Sequence, residues 1–196
     1  MLMKKIFIII AAAFISLTAA SAQSAYSYEK FVSSEGQGLN YRLLEPLKVE
    51  AKKKYPLVIF LHGLGERGSD NEKQLFHGSQ MFLNPSNQEK YPAYVIFPQC
   101  PETTFWAYDN IPASFEDMAP AENMTIVFRA LKEMIDEYRA MPTVDASRVY
   151  IMGLSMGGMA TYDMVARFPE IFAAAIPICG AIKPGRIAAA KNVKFR

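Results

Sequence analysis

Histidine and cysteine are both scarce in this sequence of 196 residues, with two of each. His62, His77, Cys100 and Cys179 lie far apart along the chain, and no cluster with metal-ligand spacing is visible. No metal and no cofactor are expected. An excess of positive charge is lacking too. The formal net charge is +2, and removing residues 1–22 takes away two lysines and no acid, so 19 basic residues face 19 acidic ones. A nucleic-acid binder needs a basic surface to neutralise phosphates, so that class is excluded. The basic run Lys52-Lys53-Lys54 precedes an apolar stretch and reads as a solvated turn. Internal repeats and low-complexity tracts are absent. A long apolar run is missing as well: the stretch from Ile6 to about Leu17 is shorter than the roughly 20 residues that span a bilayer.

That short run has a meaning of its own. Lys4 and Lys5 precede it, and small residues ending Ala20-Ser21-Ala22 follow it. This is the three-part layout of a secretory signal peptide cut after Ala22. The expectation is therefore a signal over residues 1–22, one domain over 23–196, export to the periplasm or beyond, and no stable membrane span once the signal is removed. No cysteine stands near the cut, so a lipid-anchored form is not expected.

The remaining residues alternate between two patterns. Tyr26–Ser33 and Leu39–Leu44 read as two strands joined by the turn Glu35-Gly36-Gln37-Gly38. PLVIFLHG (56–63), AYVIFPQ (93–99), VYIMGLS (149–155) and FAAAIPICG (172–180) are near-continuous apolar runs, as expected of strands buried on both faces. Helices are predicted between them, over Asn71–Phe82, Met124–Ala140 and Gly157–Phe168. In the second, Ile126, Val127, Leu131, Met134, Ile135 and Tyr138 fall at helical spacing, and Pro142 follows its end. Strands alternating with helices predict an α/β fold with a mostly parallel sheet and an antiparallel N-terminal hairpin. Residues 192–196 begin what reads as another strand, which would leave an exposed sheet edge. Low stability and self-association are expected from that edge.

One stretch carries chemistry. Gly153-Leu154-Ser155-Met156-Gly157-Gly158 follows the apolar VYIM and precedes a helix. Flanking glycines let a chain turn sharply from strand to helix and hold a serine above the sheet, the mechanical content of the G-x-S-x-G nucleophile elbow. A serine needs a base to become a nucleophile, and acyl transfer needs donors for the developing oxyanion, worth roughly 3–4 kcal/mol for one donor. His62-Gly63-Leu64-Gly65-Glu66-Arg67-Gly68 ends the first buried strand and should lie beside the elbow. The backbone N–H groups of Leu64 and Met156 are the expected oxyanion donors. His62 opens that loop and reads as a hydrogen-bonded structural histidine. His77 reads as a surface or packing residue.

LHGLGERGSDN, FPQCP followed by Trp106, and DASRVYIMGLSMGGMATYDMVARFPEIFAAAIPICG together resemble bacterial exported serine esterases of the α/β-hydrolase fold. These are the esterases related to polyhydroxybutyrate depolymerases, feruloyl esterases and the phospholipase/carboxylesterase group, with prolyl oligopeptidase-like hydrolases as near relatives. The resemblance implies Ser155 as the nucleophile of ester hydrolysis and residues 62–68 as the oxyanion loop. It implies that Gln99, Cys100 and Trp106 border the acyl pocket, although Trp106 equally fits packing beneath a loop. It also implies small-molecule or carbohydrate-linked ester substrates.

The family order is serine, then acid, then histidine. Both histidines here precede Ser155, so acid and base are expected beyond Arg196, in a catalytic domain that this chain contains incompletely. Asp145 precedes the elbow strand, is expected at the opposite edge of the sheet and reads as a turn residue. The same fold places the strands ending at Cys100 and near Cys179 on either side of two others, roughly 14 Å apart. A disulfide needs Cα atoms within about 7 Å, so two free thiols are expected. The alternatives are a non-catalytic hydrolase-like remnant and a prolyl oligopeptidase-like peptidase. The latter usually carries a propeller domain, for which this chain has no room.

Overall fold

The structure is a computed structural model that describes residues 25–110, 114 and 122–196. The expected signal over residues 1–22 lies outside the described residues. Seven strands form one sheet: β1 (Ser27–Val32), β2 (Gly38–Leu44), β3 (Tyr55–Leu61), β4 (Tyr94–Pro98), β5 (Val144–Leu154), β6 (Ala174–Ile178) and β7 (Lys194–Phe195). Their spatial order is β1-β2-β4-β3-β5-β6-β7. The pairs β1–β2 and β2–β4 are antiparallel, and every later pair is parallel. The predicted hairpin and mostly parallel sheet are both present.

Why the strands read as unbroken apolar runs is visible in β3. Leu57, Ile59 and Leu61 join the core on one face, while Phe60 and the partly buried Val58 join the other. The first face is covered by α3 (Ile126–Ala140) and α4 (Met156–Arg167), which bury Leu131, Met134, Ile135, Ala160 and Met164 among others. Thr125 caps α3: its Oγ1 accepts from Phe128 N at 3.2 Å. The second face meets Leu75, Phe82 and Leu83. There α1 (Ser79–Leu83) and α2 (Pro85–Lys90) lie along the chain.

Three differences from the sequence expectations have physical causes. The helix predicted over Asn71–Phe82 is broken into a short 3-10 turn, Lys73–Leu75, and α1. Gly78, at φ 79°, divides them, and a Cβ there would sit 2.4 Å from the Phe60 ring. The β5 strand begins at Val144, earlier than its apolar run, through an irregular start where pairing to β3 shifts between Tyr55 and Leu57. Asp145, expected as a turn residue at the opposite edge of the sheet, instead lies at the start of the central β5, where its carboxylate accepts from Ser147 N and Arg148 Nε. Finally, β7 is only two residues long and pairs Lys194 and Phe195 with Ala174 and Ala175. Phe195 stacks on Tyr162 of α4 at 5.8 Å. Arg186 of α5 (Pro184–Ile187) pairs at 2.5 Å with the buried Asp163 of α4.

Both cysteines are free, as expected: Cys100 is buried, Cys179 is exposed, and β3 and β5 separate their strands.

Candidate active site

Ser155 sits between the end of β5 and the first residue of α4. Its backbone is at φ 54° and ψ −113°, a region that residues with a Cβ rarely occupy, and its side chain is exposed. The turn is over-determined by its neighbours. Ser155 N–H donates to Ile178 O of β6 at 2.8 Å, and Ser155 O accepts from Met159 N at 2.9 Å. The flanking glycines are there because of crowding. A Cβ on Gly157 would lie 2.0 Å from Leu61 O, and one on Gly153 would lie 2.3 Å from Gly157 O. Only glycine lets α4 press this closely on the ends of β3 and β5.

The loop after β3 comes to the same place. A Cβ on Gly63 would lie 3.8 Å from Ser155 Cβ and 3.5 Å from Leu154 O. Leu64 follows as the first residue of a 3-10 turn, Leu64–Glu66, and Met156 is the first residue of α4. Backbone N–H groups at such positions have no partner within their own turn or helix. The fold therefore gathers Ser155, Leu64 and Met156 at the C-terminal ends of β3 and β5.

His62 is buried, with both ring nitrogens engaged. Nδ1–H donates to Gly63 O at 2.6 Å, and Nε2 accepts from Cys100 N at 2.9 Å. Burial pushes its pKa down to about 4, against the Gly63 hydrogen bond that raises it, and nearby Arg67 pushes the same way as burial. It is a neutral structural group, as expected, and offers Ser155 no base. His77 is exposed and lies 3.7 Å from Glu66 Oε1.

Gln99 and Trp106 are placed under the loop. Gln99 is buried: Nε2 donates to Glu66 O at 3.1 Å and to Asp70 Oδ1 at 2.9 Å, and Oε1 accepts from Asn71 N at 2.7 Å. Trp106 is fully buried, and its Nε1–H donates to His62 O at 3.3 Å. The Cys100 thiol is pushed up to about 12 by burial. Burial also raises the Asp70 pKa. Hydrogen bonds from Lys73 N, Glu72 N, the Gln99 amide and the Lys73 ammonium outweigh that and hold it at about 2.

Residues that sequence reasoning missed complete the support. Arg67 donates from Nη1 to Glu102 O and Thr104 O and lies 4.5 Å over the Phe105 ring, clamping the loop to the segment after β4. Asn71 adopts φ 54°, where asparagine is enriched, and its amide bonds Glu29 O and Tyr41 O. Arg42 is buried on β2 and reaches Tyr26 O and Asn71 O. Its position in an alternating strand gave no signal of that role. Among the described residues no group of three His, Cys, Asp or Glu side chains is placed to hold a metal ion. No helix among them is long and apolar enough to cross a membrane. A groove of about 800 Å³ lined by Lys53, Tyr55, Tyr91 and Arg148 lies near the N-terminal ends of β3, β4 and β5, at the opposite end of the sheet from Ser155.

A mostly parallel sheet with an antiparallel start and a strained serine between β5 and α4 defines the α/β-hydrolase class. Within that class the chain belongs to the phospholipase/carboxylesterase family, whose sequence model matches residues 46–193. A solved thermostable esterase superposes with a TM-score of 0.74 at 36% identity, over 88% of this chain and 45% of its own. Feruloyl esterase B of Neurospora crassa is 30% identical over 85% of this chain and 52% of its own length. Poly(3-hydroxyalkanoate) depolymerase C of Paucimonas lemoignei is 28% identical over 84% of this chain and 37% of its own. The chain spans about half the length of these relatives or less.

Proposed function

We propose that the protein hydrolyses carboxylic esters through an acyl-enzyme on Ser155. The observation that carries this reading is the strained, exposed serine at the start of α4 with the Leu64 loop against it. The Ser155 hydroxyl attacks the ester carbonyl and gives its proton to a general base. The developing oxyanion accepts hydrogen bonds from Leu64 and Met156 N–H. The tetrahedral intermediate collapses and expels the alcohol, which takes the proton back from the base. Water then attacks the acyl-enzyme by the same route and releases the acid. The base in this reading is a histidine held by an acid, both following Ser155 in chain order, since His62 is occupied and His77 stands at the surface beside Glu66. Gln99 and Trp106 shape the acyl wall from beneath the loop.

The substrate class we favour is an acyl group esterified to a carbohydrate. Its support is the likeness to a feruloyl esterase and to acetylxylan esterase A of Emericella nidulans, the latter 36% identical over 47% of this chain. The signal-like residues 1–22 support export, and residues 23–196 then form the hydrolase domain. The test is hydrolysis of p-nitrophenyl acetate by the protein expressed from its complete reading frame. Ser155→Ala is expected to lower kcat at least about a thousand-fold while leaving the melting temperature unchanged. Hydrolysis at an equal rate by the variant overturns the reading.

A further inference from the structure

Gln99 holds the proposed oxyanion loop and the residues that follow it at three points. Its backbone is fixed at the end of β4, where Gln99 N–H donates to Asn40 O at 2.8 Å. From there its side-chain amide is shared among three points of the 66–71 loop: Glu66 O, Asp70 Oδ1 and Asn71 N. Glu66 closes the 3-10 turn that Leu64 opens, so the Nε2–H···O=C bond at 3.1 Å fixes the far end of a three-residue unit. The next residue in the chain adds a fourth tie, with Gly68 N–H donating to Cys100 O at 3.0 Å.

The bond to Asn71 extends the support backwards. Asn71 is held in its left-handed conformation by amide bonds to Glu29 O and Tyr41 O, and its own carbonyl accepts from Arg42 Nη1 at 3.2 Å. A buried polar strut thus runs from the antiparallel strands β1 and β2, through Asn71 and Gln99, to the turn that begins at Leu64. Burying so many polar groups is tolerable only when each is bonded. Such a network has one low-energy arrangement and resists displacement of the loop.

We propose that Gln99 is a positioning residue for the oxyanion hole. It acts through the Leu64–Glu66 turn and sets the aim of the Leu64 N–H, with no contact to the reacting atoms. This inference rests on the ester-hydrolase reading above. An interaction felt only when negative charge develops on the carbonyl oxygen changes kcat and leaves KM alone.

The test compares an aryl ester with its thionoester, in which sulfur replaces the carbonyl oxygen and accepts hydrogen bonds poorly. The variants are Gln99→Met, which removes all three side-chain bonds, and Gln99→Glu, which keeps an acceptor for Asn71 N–H and loses both donors. The protein is made from its complete reading frame, and Ser155→Ala is run alongside. Removing an oxyanion donor costs about 10²–10³ in kcat, and a misaimed donor should cost less. We expect kcat for the oxoester to fall about ten- to a hundredfold in both variants, with KM within about twofold. The ratio of oxoester to thionoester rates should fall with it, because the thionoester draws little on the hole. Folded variants with an unchanged ratio overturn the assignment, even if both substrates slow equally. Failure of both variants to fold makes Gln99 a folding residue and overturns it as well. Oxoester hydrolysis as fast in Ser155→Ala as in the parent overturns the ester-hydrolase reading, and this inference with it.

Discussion

His62 shows how a single buried side chain ties stability to pH. Its Nε2 must be unprotonated to accept from Cys100 N–H, and burial makes the charged form costly. Its folded pKa, about 4, lies below its ordinary value of 6.5. The unfolded chain therefore binds a proton that the folded chain refuses between those limits. Stability from this group is fully present above about pH 6.5 and is lost as pH falls toward 4. The shift corresponds to about 3 kcal/mol at the low end of that window. Denaturant melts at pH 7.5, 5.5 and 4.5 should show a progressive loss, and His62→Asn, whose side-chain amide keeps an acceptor but cannot be charged, should flatten that dependence. An equal slope in the variant would assign the loss to other groups.

At the scale of elements, the strand-to-helix turn is decided by contact distance more than by conformational preference. Gly157 is the clearest position, because an added Cβ would lie 2.0 Å from the Leu61 carbonyl oxygen. The change Gly157→Ala must push α4 away from β3. Overpacking of this kind costs about 1–3 kcal/mol or more, which is a fall of roughly 3–10 °C in melting temperature for a chain this size. Gly185→Ala in α5 is the control: nothing lies within 4 Å of its Cβ position, so the melt should stay put or rise slightly. Equal melts for the two variants would mean that α4 sits less tightly on β3 than the structure shows. The broken helix after Asn71 carries the same lesson. Its polarity pattern permits a helix, and the ring of Phe60 under Gly78 directs the break.

Across the whole molecule, support is uneven. The two long central strands, β3 and β5, pair with each other and with strands on both outer sides. At one edge β7 contributes two residues to a single ladder. Local opening needs least energy where few buried contacts are lost. Native-state hydrogen exchange should accordingly be slowest at the amides of Val58–Phe60 and Tyr150–Met152 and fastest, among the strands, in β7. Protection in β7 equal to that in β3 would contradict this gradient.

Much of this protein was legible in its sequence. Period-two and near-continuous apolar runs mark the seven-stranded order's main members, because burial on one or both faces acts on each residue where it stands. The elbow was legible for a similar reason: glycines at 153, 157 and 158 record local crowding around Ser155. The two free thiols followed from the strand order that the family resemblance implies. What only the tertiary structure decided is the support beneath the site. Gln99, expected at a pocket border, ties three points of the loop after β3. Arg42 and Asn71, 29 residues apart in sequence, meet through a buried hydrogen bond. Polar contacts of this kind join residues far apart in the chain and obey no local period. Their partners are chosen only when folding brings the strands together and every buried donor must find an acceptor.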